Sequence, residues 1–379
     1  MTGKQKSGLR IAIFGQKHIP SNEGGIEVVV EQLAVRMAAK GHSVTCYNRS
    51  ADNVAGKEFN GEKLTSYKGI RLKEVFTIDR RGLAAISSAL SAAVRTALGR
   101  YDVVHIHAEG PAIFCWLPKL MGKKVFVTVH GLDHQRAKWG KLASHLILCG
   151  EKAAVRHADE IIVLSENVGQ YFSDTYGRQT CFIPNGVSPM KKRPADIITE
   201  QWGLAKDDYI LFLGRIVPEK GLRLLIRAFR QVKTDKKLVI AGGSSDTQAF
   251  FDELREMAQG DDRILFTGFV QGKAKRELYS NAYFYVLPSD LEGMPLSLME
   301  AMAYGNCCLT SDIPECTSVC EDHGLSFLKG DPGALTEAIQ KLCDHPEVVE
   351  AYRQGAEEFI LSEYNWDDVA ERTLELYQK

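Results

Sequence analysis

Residues 283–305, YFYVLPSDLEGMPLSLMEAMAYG, contain one complete structural unit. An apolar run, Tyr283 to Leu287, passes into a polar turn from Pro288 to Gly293 and then into a helix-period segment, 295–304. Strand, loop and helix in that order make a βα unit, the repeating element of a doubly wound parallel sheet. Pro295 suits the first helical position, where its missing N–H has no partner to lose. Gly293 lets the backbone approach a bound group closely, so the free N–H groups at this helix start form an anion site. Glu300 lies eight positions after Glu292, about a turn and a half up the helix, where a carboxylate can accept hydrogen bonds from sugar hydroxyls. The competing reading makes Glu300 a solvated helix residue and Glu292 a loop charge.

The same alternation extends outward in both directions. Upstream, the patterns predict strands at 9–14, 43–48, 71–76, 102–107, 124–129 and 160–164, with helices at 26–40, 83–99, 111–121, 141–157 and 166–176. A second set follows, with strands at 209–213, 237–241, 263–266, 283–287 and 307–310. Its helices are predicted at 220–233, 246–258, 272–281, 295–304, 332–343, 346–358 and 366–377. Between the sets lie Ile183-Pro184-Asn185-Gly186-Val187 and the charged, proline-bounded stretch Pro189–Pro194, which reads as a linker. The prediction is an α/β protein of two Rossmann-like doubly wound domains, 1–187 and 188–365, facing across a cleft at the carboxyl ends of their strands. A length of 379 residues fits two to three domains at roughly 150 residues each.

Composition narrows the class. With 45% hydrophobic and 25% charged residues the chain is neither disordered nor supercharged. Its net charge of −1 conceals an asymmetry: 25 Lys and Arg stand against 16 Asp and Glu through Met190, and 22 against 32 beyond it, a +9 half joined to a −10 half. No run of about 18 apolar residues and no signal-peptide core is present, so the reading is cytoplasmic. Nine cysteines without a CxxC pair read as reduced thiols rather than a disulfide framework or a zinc site.

Three further loops carry candidate chemistry. In Gly214-Arg215-Ile216-Val217-Pro218-Glu219-Lys220-Gly221, Arg215 offers a fork for phosphate oxygens and Lys220 a mobile point charge, enough to neutralise a diphosphate without a metal. Gly24-Gly25 opens a helix and lets backbone amides meet a phosphate, although the G-x-G-x-x-G fingerprint is missing from this first βα turn. Strand 124–129 ends at His130, in a basic loop that also holds Asp133, Arg136, Lys138 and Trp139. His105, His107 and His130 lack carboxylate or cysteine partners at ligand spacing, so no metal centre is expected. Nucleic acid is excluded as a partner for the basic half by the lack of stacking platforms and of a basic recognition helix. The segment from Arg80 and Arg81 to Arg95 sets Leu83, Ile86, Leu90 and Val94 on one helical face, as an interfacial helix on anionic lipid would; an ordinary core-facing helix with a basic rim is the alternative.

Taken together, these residues resemble glycosyltransferase family 4, the retaining enzymes with the two-domain GT-B fold. The likeness spans nearly the whole chain: the Gly24-Gly25 loop, the His130 loop, the IPNGV hinge, Arg215 with Lys220, the Ala241-Gly242-Gly243 turn, and Glu292 with Glu300 as a Glu-x7-Glu pair. The opening IPSNEGGIEVVVEQLA, followed by YNRS, looks like bacterial enzymes that build surface polysaccharides.

The resemblance implies roles. His130, Arg215, Lys220 and Glu292 are the catalytic candidates. Donor contacts fall to Gly24, Gly25, Gly243, Phe269, Val270, Gly293, Met294, Pro295, Leu296 and Glu300, with Glu300 on the ribose and Gly243, Phe269 and Val270 near the base. Arg80, Arg81, Arg136, Lys138 and Trp139 are candidates for the acceptor or membrane face. Helix 366–377 would cross back onto the first domain. The implied partners are a nucleotide-sugar donor, a polyprenyl-linked or glycan acceptor and an anionic membrane surface, with no cofactor and no metal required. A catalytically silent nucleotide-sugar-binding subunit and a nucleotide-sugar epimerase are the alternatives.

Overall fold

The computed structural model describes residues 8–21, 24–50, 64–80, 82–135, 140–243 and 248–379. Arg81, Arg136, Lys138 and Trp139 lie outside the described residues. The chain divides into two compact units, Met1–Gly186 with Trp366–Lys379, and Val187–Asn365.

In the first unit the strands are β1 (Arg10–Phe14), β2 (Ser43–Arg49), β3 (Ser66–Tyr67), β4 (Ile70–Val75), β5 (Val103–His107), β6 (Lys124–Val129), β7 (Glu160–Val163) and β8 (Cys181–Phe182). They lie in the order β3-β4-β2-β1-β5-β6-β7-β8, parallel throughout except where β3 meets β4. Beyond an exposed first residue in β1 and β6, the central strands are buried throughout, which is why they read as continuous apolar runs rather than alternating ones. From β1 the chain first winds to one side and then crosses to β5 on the other. The order therefore reverses between β1 and β5, and at their carboxyl ends a Cβ on Gly15 (φ +120°) would sit 2.0 Å from the His107 carbonyl oxygen. Only glycine fits there.

The second unit repeats the plan with β9 (Tyr209–Leu213), β10 (Lys237–Ala241), β11 (Ile264–Gly268), β12 (Phe284–Leu287), β13 (Cys308–Ser311) and β14 (Leu325–Phe327). The order is β11-β10-β9-β12-β13-β14, parallel throughout, so its reversal falls between β9 and β12. Both belong to the apolar core of this unit, with Phe212, Tyr285 and Val286 fully buried.

Several expected helices differ in extent for identifiable reasons. The predicted helix 111–121 is two short ones, Glu109–Ala112 and Trp116–Leu120, because Pro118 is tolerated only in a first turn and forces a restart. Gly355 (φ +79°) divides 346–358 into Pro346–Arg353 and Ala356–Glu363. Gly221 (φ +68°) separates a 3-10 turn, Pro218–Lys220, from helix Leu222–Phe229. Short elements without periodicity, such as Ile197–Trp202 and Pro314–Cys320, left no sequence signal. All nine cysteines are free thiols.

Helix Leu83–Leu98 is turned opposite to an ordinary core helix. Its small residues, Ser88, Ala89, Ala92, Ala93 and Ala97, face inward, whereas Leu83, Leu90, Val94 and Leu98 are exposed, Leu98 at 75%. Small side chains permit close packing against helix Trp116–Leu120, which itself exposes Trp116 and Leu120. Of the neighbouring cations, Lys119 is paired with Asp159 at 2.5 Å, and Arg80 and Arg95 are exposed.

Helix Trp366–Gln378 packs on helix Gly25–Ala39 of the first unit, with Arg36 Nε donating to Asp367 at 2.7 Å. Its end reaches the sheet interior. The Tyr377 hydroxyl meets His105 Nδ1 at 2.6 Å, and His105 Nε2 meets Thr128 Oγ1 at 2.7 Å. His105 is wholly buried, and burial pushes its pKa down to about 3. A histidine depressed in the folded state binds its proton when unfolded, so stability is lost as pH falls below about 6.5. Between pH 7.5 and pH 5 this residue is expected to cost about 2 kcal/mol of stability. Urea titrations of wild type and His105→Asn across that range check it; the variant should show the smaller pH slope.

Candidate active site

The reversal between β9 and β12 brings two of the predicted motifs together. The loop after β9 carries Arg215 and Lys220, and the loop after β12 carries Glu292. They touch through the backbone: a Cβ on Gly221 would lie 1.8 Å from the Pro288 carbonyl oxygen, and the Asp290 amide donates to the Glu219 carbonyl at 2.8 Å. Lys220 Nζ then donates to Glu292 Oε1 at 2.5 Å, with side-chain exposures of 11% and 9%. Ser289 Oγ donates to the same oxygen at 2.6 Å, and Ser311 Oγ donates to the Ser289 carbonyl at 2.5 Å. An ammonium and one hydroxyl thus hold Glu292 at the carboxyl edge of the sheet, and Ser311 anchors the backbone of that serine.

Gly293 and Pro295 are buried and Met294 and Leu296 half-buried beside this pair. Helix Leu296–Ala303 begins one residue later than predicted. Pro295 is its cap, accepting from the Leu298 and Met299 amides, because its ψ of 94° lies outside the helical region. Helix geometry leaves the first-turn amides without intrahelical acceptors, so the anion-binding end faces the Glu292 loop.

Glu300 is neither solvated nor idle. Lys275 Nζ donates to its Oε1 at 2.9 Å, and the Tyr279 hydroxyl donates to its Oε2 at 3.0 Å. An ionised carboxylate has about four acceptor positions, so further hydroxyls are accommodated. The adjoining loops are joined to the β9 loop in turn. The Ile216 amide donates to the Gly243 carbonyl at 3.0 Å, and a Cβ on Gly243 would contact Phe269 at 3.5 Å. Arg215, Phe269 and Val270 are half-buried along this edge.

The first unit brings another set together. His130 Nε2 lies 3.0 Å from His107 Nδ1, and the His107 and His105 rings stand 4.2 Å apart, giving a column of imidazoles from the loop into the sheet. Burial holds His107 far below the ordinary histidine range, and so neutral. Gly24 caps helix Gly25–Ala39 in an extended conformation; the Glu27 carboxylate lies beside it and accepts from the Lys17 amide at 2.9 Å. Ser289, Ser311, Lys275 and Tyr279 escaped the sequence reading. Ser289 stood inside the quoted loop, whereas the others lie 21 to 25 positions from the groups they serve and needed the fold to be seen.

Comparison with known proteins identifies the family and the fold. Residues 195–359 match the glycosyl transferases group 1, and residues 23–191 match Glycosyltransferase Family 4. The chain is 26% identical to phosphatidyl-myo-inositol mannosyltransferase of Mycobacterium leprae, over 94% of this chain and 93% of that one. It is similar in structure to sucrose-phosphate synthase from Thermosynechococcus elongatus (TM-score 0.79, 23% identity, 98% of each chain). HepE of Anabaena, solved in complex with UDP-glucose, is similar as well (TM-score 0.79, 16% identity, 98% of this chain and 99% of that one). Two parallel-sheet units with their loops at the carboxyl edges, together with this likeness, define a GT-B-fold glycosyltransferase. Within that class the chain belongs to glycosyltransferase family 4.

Gly221→Ala is expected to destabilise the C-terminal unit by at least about 2 kcal/mol, since the left-handed backbone and the Pro288 carbonyl both oppose a side chain. Chemical denaturation followed by tryptophan fluorescence measures the loss.

Proposed function

We propose that the chain is a retaining transferase that moves a sugar from a nucleotide-diphosphate donor to a glycan or polyprenyl-linked acceptor in polysaccharide assembly. The observation that carries this reading is the Lys220–Glu292 pair beside the start of helix Leu296–Ala303. Breaking the bond from the sugar C1 to the diphosphate leaves positive charge on the sugar and negative charge on the leaving group. Arg215, Lys220 and the helix-start amides stand on one edge to receive the negative charge, a type of stabilisation worth roughly 3–4 kcal/mol per well-placed donor. Glu292 faces the sugar, and Glu300 takes the ribose hydroxyls. The acceptor hydroxyl attacks C1 from the face the diphosphate leaves, and its proton passes to a diphosphate oxygen. These cations take the role a metal would otherwise fill, so transfer requires none.

Lys220→Ala and Glu292→Ala are each expected to reduce turnover at least tenfold with the fold retained by circular dichroism. Near-normal transfer by either variant would sink the assignment. A panel of UDP-, GDP- and dTDP-sugars, read by saturation binding and then by product NMR, identifies the donor and tests anomeric retention. Donor turnover without acceptor would mark an epimerase, and binding without turnover a silent subunit; the intact Arg215, Lys220, Glu292 and Glu300 set favours neither.

The acceptor side of the proposal rests on the outward apolar face of helix Leu83–Leu98. Leu90, Val94, Leu98, Trp116 and Leu120 with Arg80 and Arg95 combine apolar contact with charge, as a helix lying on anionic lipid does. The relative named for phosphatidyl-myo-inositol mannosylation bears a lipid in its name, in keeping with a peripheral enzyme on the inner face of the plasma membrane. Among the described residues no helix is long and apolar enough to cross a membrane. Co-sedimentation with anionic liposomes at low salt is expected for wild type and at least fivefold weaker for Leu98→Glu/Leu120→Glu; indifference to anionic lipid removes the proposal.

A further inference from the structure

The first unit also holds a cluster of ionisable side chains to which the proposed reaction assigns no role. Glu109, His134 and Glu151 each bring one ligand atom to within 4.8 Å of the other two. They come from three elements: helix Glu109–Ala112, the 3-10 turn Asp133–Gln135, and helix Lys141–His157. Glu109 is 1% exposed and Glu151 is fully buried.

One oxygen of each carboxylate is satisfied. Glu109 Oε2 accepts from the Asp133 amide at 2.8 Å, and Glu151 Oε1 accepts from the hydroxyls of Tyr171 at 2.9 Å and Tyr176 at 2.5 Å. The other oxygens are not: Glu109 Oε1, Glu151 Oε2 and His134 Nδ1 are all buried without a hydrogen-bond partner. Buried polar atoms in native proteins are nearly always paired, so three in one cluster call for an electrophile. The positions are set by the backbone, since a Cβ on Gly150 would stand 2.0 Å from the Glu109 carbonyl oxygen, which holds the two helices in contact.

We infer that Glu109, His134 and Glu151 form a binding site for a divalent transition-metal ion, with zinc the matching ion. One imidazole nitrogen and two carboxylate oxygens are a ligand set that zinc accepts, with water as the fourth ligand. Zinc at about 2.0 Å from each ligand sets neighbouring ligand atoms about 3.3 Å apart in a tetrahedron. His134 Nδ1 and Glu151 Oε2 stand 3.4 Å apart. Magnesium demands an octahedron of oxygens and fits poorly beside an imidazole. The bound ion fastens the turn that follows His130 to helix Lys141–His157. It is a structural clasp, and it does not depend on the proposed donor or acceptor. The rival occupant is a proton shared by the two carboxyl groups.

Full-length protein freed of metal with a chelator and titrated with zinc chloride by calorimetry tests the site. One equivalent is expected to bind with a Kd below about 1 μM and to raise Tm by several degrees, while magnesium at the same concentration does neither. Cobalt in place of zinc should give a visible spectrum without the charge-transfer band of thiolate ligands, which separates this site from the free cysteines. His134→Ala and Glu151→Gln should each weaken zinc binding at least 30-fold. If Glu151→Gln fails to fold, His134→Ala, at the rim of the cluster, carries the test. Failure to bind one equivalent, or unchanged affinity in His134→Ala, overturns the metal and leaves the shared proton.

Discussion

The contact between Gly221 and the Pro288 carbonyl is the constraint on which the C-terminal site depends. It exists because the sheet reverses its strand order between β9 and β12, which leaves their two loops side by side at the carboxyl edge. A residue with a side chain at 221 would push those loops apart. With glycine there, the Asp290 amide reaches the Glu219 carbonyl, and the next side chain along, Lys220, is delivered to Glu292. The ion pair is thus a consequence of backbone packing. Such a buried pair adds little net stability, because desolvation offsets most of the attraction, yet losing one partner leaves the other charge stranded. Its presence is better explained by what it holds ready than by what it stabilises.

The N-terminal unit solves the same geometric problem differently. Its reversal lies between β1 and β5, and there the close approach of Gly15 to His107 brings two loop starts together. Instead of an ion pair, the strand ends carry neutral, buried imidazoles, His105 and His107, which lead outward to His130. Tyr377 closes the inner end of this column from the last helix of the chain. The C-terminal helix is therefore part of the interior of the first unit, and the placement of His130 is linked through side chains to a residue more than two hundred positions away.

What the sequence made legible follows from the range of the interactions involved. The central strands of both sheets were readable because they are buried on both faces and the helices have a local period, whereas the short edge strands β3, β8 and β14 left no such run. The Glu292–Glu300 spacing was readable because it lies within one βα unit. Partners set by the fold were not: nothing local to Glu300 points to Lys275 or Tyr279, and nothing local to Glu109 points to Glu151 across helix Lys141–His157. The orientation of helix Leu83–Leu98 was also hidden. Its leucines share one face, but its alanine face packs closer, and the neighbouring helices and strands decide which turns inward. Pro118 in helix Trp116–Leu120 was the one visible sign that 111–121 would not form a single helix.

The excess of acid in the C-terminal half would seem to oppose binding of a diphosphate, but the field at the helix start is set locally. Charges beyond about 8 Å are largely screened at physiological salt. Several of the acids are also committed elsewhere: Glu253 to Arg223, Asp261 to Arg263, and Glu277 to the backbone amides of Asp196 and Ile198. In the two loops at the helix start Lys220 is paired with Glu292, and Arg215, Glu219 and Asp290 lie in the same loops. An ammonium kept nearly buried without a counter-charge would bear its full desolvation cost in the empty protein. Glu292 offsets that cost, so Lys220 is held in position before any anion arrives. A diphosphate then has to compete only for one side of an ammonium with three donors. The carboxylate that looks like an obstacle to anion binding is in this way what allows the cation to be there.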